Sequence, residues 1–115
     1  MSIKLGPAGI GGIKNIEETL IRYNELGIDV AEIAFTYGIY IKKEEDIKRV
    51  RDASNKFNIR LSIHAPYWIN LNSKDKKKVE QSKERILKCC EVGEKLGCEI
   101  VVFHSGYYGG MKEEE

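Results

Sequence analysis

The stretch Leu26-Gly27-Ile28-Asp29-Val30 is matched in character by Leu96-Gly97-Cys98-Glu99-Ile100, 70 residues further on. Each closes a helical pattern with glycine and opens an apolar run, which is the junction of a repeating helix-to-strand unit. Strand-like and helix-like patterns alternate along the rest of the chain. Residues 3–5 read as a short first strand, followed by the glycine-rich stretch 6–12. Asn15 is placed to cap a helix, and Glu18, three residues on, completes a capping box. Ile16, Leu20, Tyr23 and Leu26 form the inner stripe of that helix and Gly27 ends it. Residues 30–35 then read as a second strand. A second helix over about 43–56 buries Ile47, Val50, Ser54 and Phe57 along one stripe. Residues 59–64 form a third strand. Ser73 is expected to cap a long third helix with Val79, Ser82, Ile86, Cys90 and Gly93 inward. Residues 99–104 complete the series as a fourth strand, apolar throughout, as a strand covered on both faces should be.

The order β-α-β-α-β-α-β implies a parallel sheet with right-handed helical crossovers. Repetition of one βα unit suits a (β/α)8 TIM barrel better than a doubly wound sheet. Eight such units need at least about 200 residues, and this chain has 115. The expectation is one domain over 1–115, an α/β half barrel of about four strands and three helices. The closing Met111-Lys112-Glu113-Glu114-Glu115 reads as the first turn of a fourth helix, its acids placed where a helix N-terminus favours them. On this reading the sequence is a fragment or a shortened gene product.

Composition narrows the function classes. Nineteen Lys and Arg against 18 Asp and Glu give a formal net charge of +1, which excludes a polycationic nucleic-acid tail but not a local basic patch. Charges interrupt every apolar stretch before it reaches the roughly 18 residues of a membrane span. The first residues lack the apolar core of a secretory signal, so a cytoplasmic location is expected, with no membrane partner. Three cysteines, Cys89, Cys90 and Cys98, are odd in number and lack C-x-x-C spacing, so they read as small structural side chains with Cys90 toward the core.

His64 and His104 are the only histidines, and each closes an expected strand. Barrel active sites form at the C-terminal ends of the strands, so the two imidazoles should face one pocket. Neutral imidazoles suit zinc, although a catalytic zinc usually takes three protein ligands and a water. Glu32 could point into the barrel, or could pair with Lys4 on the neighbouring strand. Asp29 and Glu99 lie at strand beginnings, the wrong end. Lys74, Lys76, Lys77 and Lys78 cluster where the third helix starts, against the sign its dipole favours, and are candidates for phosphate contact or a solvated face.

Ser62-Ile63-His64-Ala65-Pro66-Tyr67-Trp68-Ile69-Asn70-Leu71 resembles the strand-three signature of the endonuclease IV family of AP endonucleases, and Val101-Val102-Phe103-His104-Ser105-Gly106 resembles its strand-four signature. The resemblance covers essentially the whole chain, aligned with the N-terminal half of that fold. Its superfamily also holds sugar isomerases and epimerases resembling xylose isomerase. The resemblance implies zinc as cofactor, with His64 and His104 among its ligands. It implies DNA containing abasic sites as partner, and phosphodiester hydrolysis in base excision repair as activity. Tyr67 would probe the DNA beside the damaged site, Asn70 would help hold that loop, and Lys74, Lys76 and Lys77 would stand near the backbone. Tyr37-Gly38-Ile39-Tyr40 stands where a longer, Arg-bearing loop is expected, so only stacking by Tyr37 or Tyr40 could replace it. A metal-dependent sugar isomerase or epimerase is the alternative activity. A third possibility is a non-catalytic half barrel that forms a homodimer or complements a second half.

Overall fold

The computed structural model describes residues 2–114. A single 3-10 turn (Ile13–Asn15) leads into helix α1 (Ile16–Glu25). Strand β1 (Val30–Ala34), helix α2 (Glu44–Lys56), strand β2 (Arg60–His64), helix α3 (Lys76–Leu96) and strand β3 (Val101–Val102) follow in that order. The sheet runs β1-β2-β3 and is parallel, with Val30 opposite Arg60, Ala34 opposite His64, and His64 opposite Val102. Three strands and three helices in this order form part of a βα barrel.

The two glycine junctions behave as their sequence implies. Gly27 and Gly97 take left-handed φ values of 75° and 77° just after α1 and α3, where a side chain would be strained. The expected first strand does not form at residues 3–5, since Ile3 and Leu5 are 89% and 80% exposed. Pairing starts later, at a parallel bridge between Ala8 and Glu32, with Gly9 donating to the Glu32 carbonyl and Glu32 to that of Pro7. Proline has no N–H to give a ladder, and a Cβ on Gly6 would collide with the Val30 carbonyl, so this edge meets β1 over one bridge only.

Four capping and facing expectations are corrected. Asn15 precedes α1 without a side-chain capping bond, because the preceding 3-10 turn carries the chain into the helix. Asp75, not Ser73, caps α3: its carboxylate accepts from the Lys77 amide at 2.9 Å, while the Ser73 hydroxyl accepts from the Asp75 amide. On α3, Cys90 is exposed and Cys89 is buried. The inner stripe is Ser82, Ile86, Cys89, Gly93 and Leu96, alternating steps of four and three, whereas two successive steps of four drift off the buried face. Leu26 likewise leaves the α1 stripe, which is Ile16, Leu20 and Tyr23.

All three helices lie on one face of the sheet. Ala31, Ile33, Leu61, Ile63 and Ala65 point into them and are buried, joined by Phe35, Ile47, Val50 and Leu96. The alternate residues Val30, Glu32, Ala34, Ser62 and His64 are only partly covered. The expected fourth strand is shorter and barer than its apolar run suggests: β3 has two residues, and Ile100 and Val102 are 58% and 43% exposed. No described strand flanks its far side. Residues 113–114 form a turn and none of residues 111–114 is helical, and Glu115 lies outside the described residues. No helix of the described residues is long and apolar enough to cross a membrane.

Candidate functional site

Parallel register brings His64 and His104 together. His64 ends β2, pairs with Val102, and His104 lies two residues beyond Val102 on the same, helix-free face. Their ring centroids are 5.2 Å apart with planes at 47°. His64 is half-buried and His104 exposed. The His64 Nδ1 lies 2.8 Å from the Ala65 carbonyl. A carbonyl oxygen can only accept, so Nδ1 is the donor in this contact, and in a neutral imidazole Nε2 would then be the nitrogen with the lone pair. Anchoring of one ring nitrogen by a backbone carbonyl is the arrangement that orients a metal-binding imidazole. Two imidazoles this close are candidate donors for one metal ion. No group of three or more His, Cys, Asp or Glu that could hold a metal occurs among the described residues.

Asp29 and Glu99 near the sheet are paired, whereas Glu32 stands on the helix-free face of β1 with no ion pair among the described residues. Lys4 pairs with Asp29 at 3.1 Å and not with Glu32, because Lys4 runs past the start of β1. Glu99 pairs with Arg60 at the same end of the sheet. A cavity of about 690 Å³ also opens there, lined by Leu5, Gly6, Val30, Arg60, Leu96 and Ile100 among others. It contains no histidine and lies at the opposite end of the strands from the imidazole pair.

The loops leaving the strands build a rim around the histidines. Tyr37, after β1, meets Tyr67, after β2, edge-to-face with centroids 6.2 Å apart, and the Tyr67 amide donates to the Thr36 carbonyl. Tyr37, Tyr67 and Trp68 are 84%, 54% and 54% exposed. Tyr40 instead turns inward onto Phe35, with centroids 5.3 Å apart, and burial pushes its phenol pKa above the usual value. Of the two tyrosines of that loop, Tyr37 is the more exposed, at 84% against 42%.

Asn70 holds its own loop. Its Oδ1 accepts from the Asn72 amide, and its amide donates to the buried Ser82 hydroxyl on α3, which in turn donates to the Lys78 carbonyl. Three supports have no clear signal in the sequence. Asn72 Nδ2 donates to the Tyr107 carbonyl at 2.7 Å, the Leu71 amide donates to the Ser105 carbonyl, and Arg85 donates to the Trp68 carbonyl. Partners 17 to 35 residues apart cannot be read from local pattern. Lys74, Lys76, Lys77 and Lys78 are exposed, and among the described residues none makes an ion pair.

The family model described as "Xylose isomerase-like TIM barrel" matches residues 20–115. The chain belongs to that family. A curated relative, the uncharacterized protein MJ0133 of Methanocaldococcus jannaschii, is 38% identical over 84 residues, 73% of this chain and 29% of that protein. Endonuclease IV from Thermus thermophilus superposes with TM-score 0.69 at 21% identity, over 87% of this chain and 40% of its own. The TTHB071 protein of the same organism, in crystals soaked with ZnCl2, gives TM-score 0.66 at 27% identity, over 99% and 43%. A D-tagatose 3-epimerase-like protein gives TM-score 0.73 at 21% identity, over 97% and 41%. This xylose isomerase-like chain thus spans less than half the length of each of these proteins. Its structural neighbours include both an endonuclease and an epimerase-like protein.

Proposed function

We propose that this chain carries two zinc ligands, His64 and His104, of an endonuclease IV-like barrel that hydrolyses phosphodiesters at abasic sites in DNA. The observation that carries the reading is the imidazole pair at the ends of neighbouring parallel strands, 5.2 Å apart, with the His64 Nδ1 tied to the Ala65 carbonyl. Zinc held there would act as a Lewis acid on a phosphate oxygen and lower the pKa of a water. The chain's own residues bind and orient. Tyr67, with Tyr37 at its edge and Trp68 beside it, offers flat exposed rings on which an unstacked base can rest. Lys74, Lys76 and Lys77, exposed and without ion-pair partners among the described residues, supply charge for the phosphate backbone. The Asn70–Ser82 contact fixes the loop that presents Tyr67.

Two donors make an incomplete catalytic site, so the isolated 115-residue chain is expected to cleave abasic DNA little or not at all. Binding is the readout that tests the reading. Zinc should bind by calorimetry, and the double variant His64→Ala/His104→Ala should abolish it; equal binding by that variant would remove both residues from the site. Trp68 is the only tryptophan, so its fluorescence should respond to an abasic duplex, with affinity falling as salt rises. A response to a ketohexose but not to the duplex would transfer the site to sugar epimerisation, the activity named for the epimerase-like neighbour.

A further inference from the structure

We propose that Arg85 and Ser82, neighbours on one face of α3, are positioning residues that hold the Tyr67–Trp68 loop in its binding shape before any ligand arrives. The inference rests on the reading of those two rings as the ligand-facing groups proposed above, and adds what sets them in place.

Ser54 and Ser82 are the buried polar side chains of the described residues. A serine inside a helix can satisfy itself on a carbonyl of the preceding turn. Ser54 does only that, donating to the Arg51 carbonyl at 2.8 Å. Ser82 donates in the same way to the Lys78 carbonyl at 2.8 Å, but its oxygen also accepts from the Asn70 amide at 2.9 Å, 12 residues back along the chain. The helix has no need of that second bond. The loop has, because the hydroxyl is the acceptor toward which the Asn70 amide points. The same hydroxyl ties the loop to the turn of α3 that carries Lys76, Lys77 and Lys78, so stacking rings and backbone-binding charge keep a fixed spacing.

Arg85 follows Ser82 by three residues, which puts both on the same side of the helix. Its guanidinium donates to the Trp68 carbonyl at 2.6 Å, a charge-assisted bond, and it makes no ion pair among the described residues. On either side of that carbonyl, the Tyr67 amide donates to the Thr36 carbonyl at 3.2 Å and the Ile69 amide to the Tyr67 carbonyl at 2.8 Å. The Ile69 side chain is buried, whereas the Tyr67 and Trp68 rings are more than half exposed. Open rings on a pinned backbone are preorganised. They give up little freedom when a flat ligand stacks on them, so less of the contact energy goes into ordering the loop.

Trp68 is the only tryptophan, so its fluorescence anisotropy and acrylamide quenching read the loop directly in the full chain, with no nucleic acid present. Arg85→Met, which keeps the apolar stem and removes the donors, and Ser82→Ala should each lower the anisotropy and raise the quenching. Arg85→Lys, which returns a charged donor to the Trp68 carbonyl, should reverse most of the change. Lys88→Met, the same charge loss at an exposed position of α3, should match the wild type. Affinity for a duplex bearing one abasic analogue should fall roughly twofold to tenfold in Arg85→Met and in Ser82→Ala, with the salt dependence of binding unchanged. A salt slope shallower by about 0.9 in Arg85→Met would make Arg85 a phosphate contact and overturn its positioning role. Wild-type anisotropy and quenching in both variants would overturn the proposal outright. So would a loss of helical circular dichroism alongside the loosened Trp68 in Arg85→Met, since the arginine would then hold the helix layer and not the loop. A wild type that ignores the duplex would remove the abasic-site reading, and the quenching series would still decide the positioning.

Discussion

The two faces of the sheet are built to opposite rules. On the helix side, Ala31, Ile33, Phe35, Leu61, Ile63 and Ala65 are all at most 7% exposed and meet α1, α2 and α3. On the other side, Glu32, Ser62 and His64 alternate with them along the same strands, polar and partly open to water. Alternation of period two lets one strand serve both ends: one set of side chains holds the layers together, and the next set is free to carry chemistry. Stability and function are thereby separated at the level of single residues.

That contrast is broken most directly by substitution on each side of it. Phe35→Ala removes a fully buried ring that packs edge-on against Tyr40, and should cost about 3–5 kcal/mol, a large share of a small domain's stability. Ser62→Ala, facing the other way on the neighbouring strand, should change stability by less than about 0.5 kcal/mol. Urea unfolding of both variants measures the difference. Comparable losses would mean that the open face is as heavily packed as the closed one.

The buried thiol on α3 gives a second measure of the closed side. Burial, with a smaller contribution from Cys90, pushes the Cys89 thiol up to about 11 from an ordinary 9.0. Because the folded value lies above the unfolded one, the neutral thiol's contribution is complete below pH 9 and is lost as pH climbs through 11. The loss is on the order of 2 kcal/mol between those limits. Cys89→Ala should therefore lose less stability than the wild type between pH 9 and 11, whatever its offset at neutral pH. Parallel curves would show that Cys89 does not ionise with unfolding.

Legibility follows the same division. The helices, the helix-ending glycines and the convergence of His64 and His104 are readable because each rests on local periodicity or on parallel strand order. The errors lie where contacts at distance decide. Residues 3–5 have strand-like character, but Pro7 and the tight approach at Gly6 limit the pairing to Ala8. Cys90 reads as inward-facing because a one-residue drift accumulates over a helix of 21 residues. The fourth strand reads as buried on both faces from its apolar run, while coverage depends on neighbours that no run of residues specifies. The loop supports Asn72, Ser82 and Arg85 act across long sequence gaps and carry no motif.

At the rim of the open side, Gly106 probes how firmly the histidine-bearing loops are held. Its φ is 156°, and a Cβ there would press on the Asn70 Oδ1 and the Asn72 backbone amide. Gly106→Ala should loosen the junction between the Tyr67 loop and the segment after β3 at a cost of about 1–2 kcal/mol. Hydrogen exchange at residues 70–72 and 105–108 should speed up, with α1 and α2 unaffected. Acceleration spread through the helices would show that the rim and the helix layer form a single cooperative unit.

The smallest expected effect comes from the outside of the helix layer, where Arg49 on α2 reaches Glu17 on α1. Its Nε and Nη2 donate to the two carboxylate oxygens at 2.8 Å each, and Nη2 also donates to the Lys14 carbonyl at 2.9 Å. The Arg49 hydrogen bond holds the Glu17 carboxyl below its ordinary value near 4.5. A lowered folded pKa means that the pair's contribution is present above that value and is lost as pH falls. Both side chains are more than 40% exposed, so water and salt screen the pair and the effect at neutral pH should be slight. Wild type and Arg49→Ala should therefore differ most at low ionic strength near neutrality, and their urea midpoints should draw together on acidification. The hydrogen bond to the Lys14 carbonyl does not titrate with Glu17. If the midpoints stay apart at acid pH, that backbone contact, and not the ion pair, is what Arg49 contributes between the two helices.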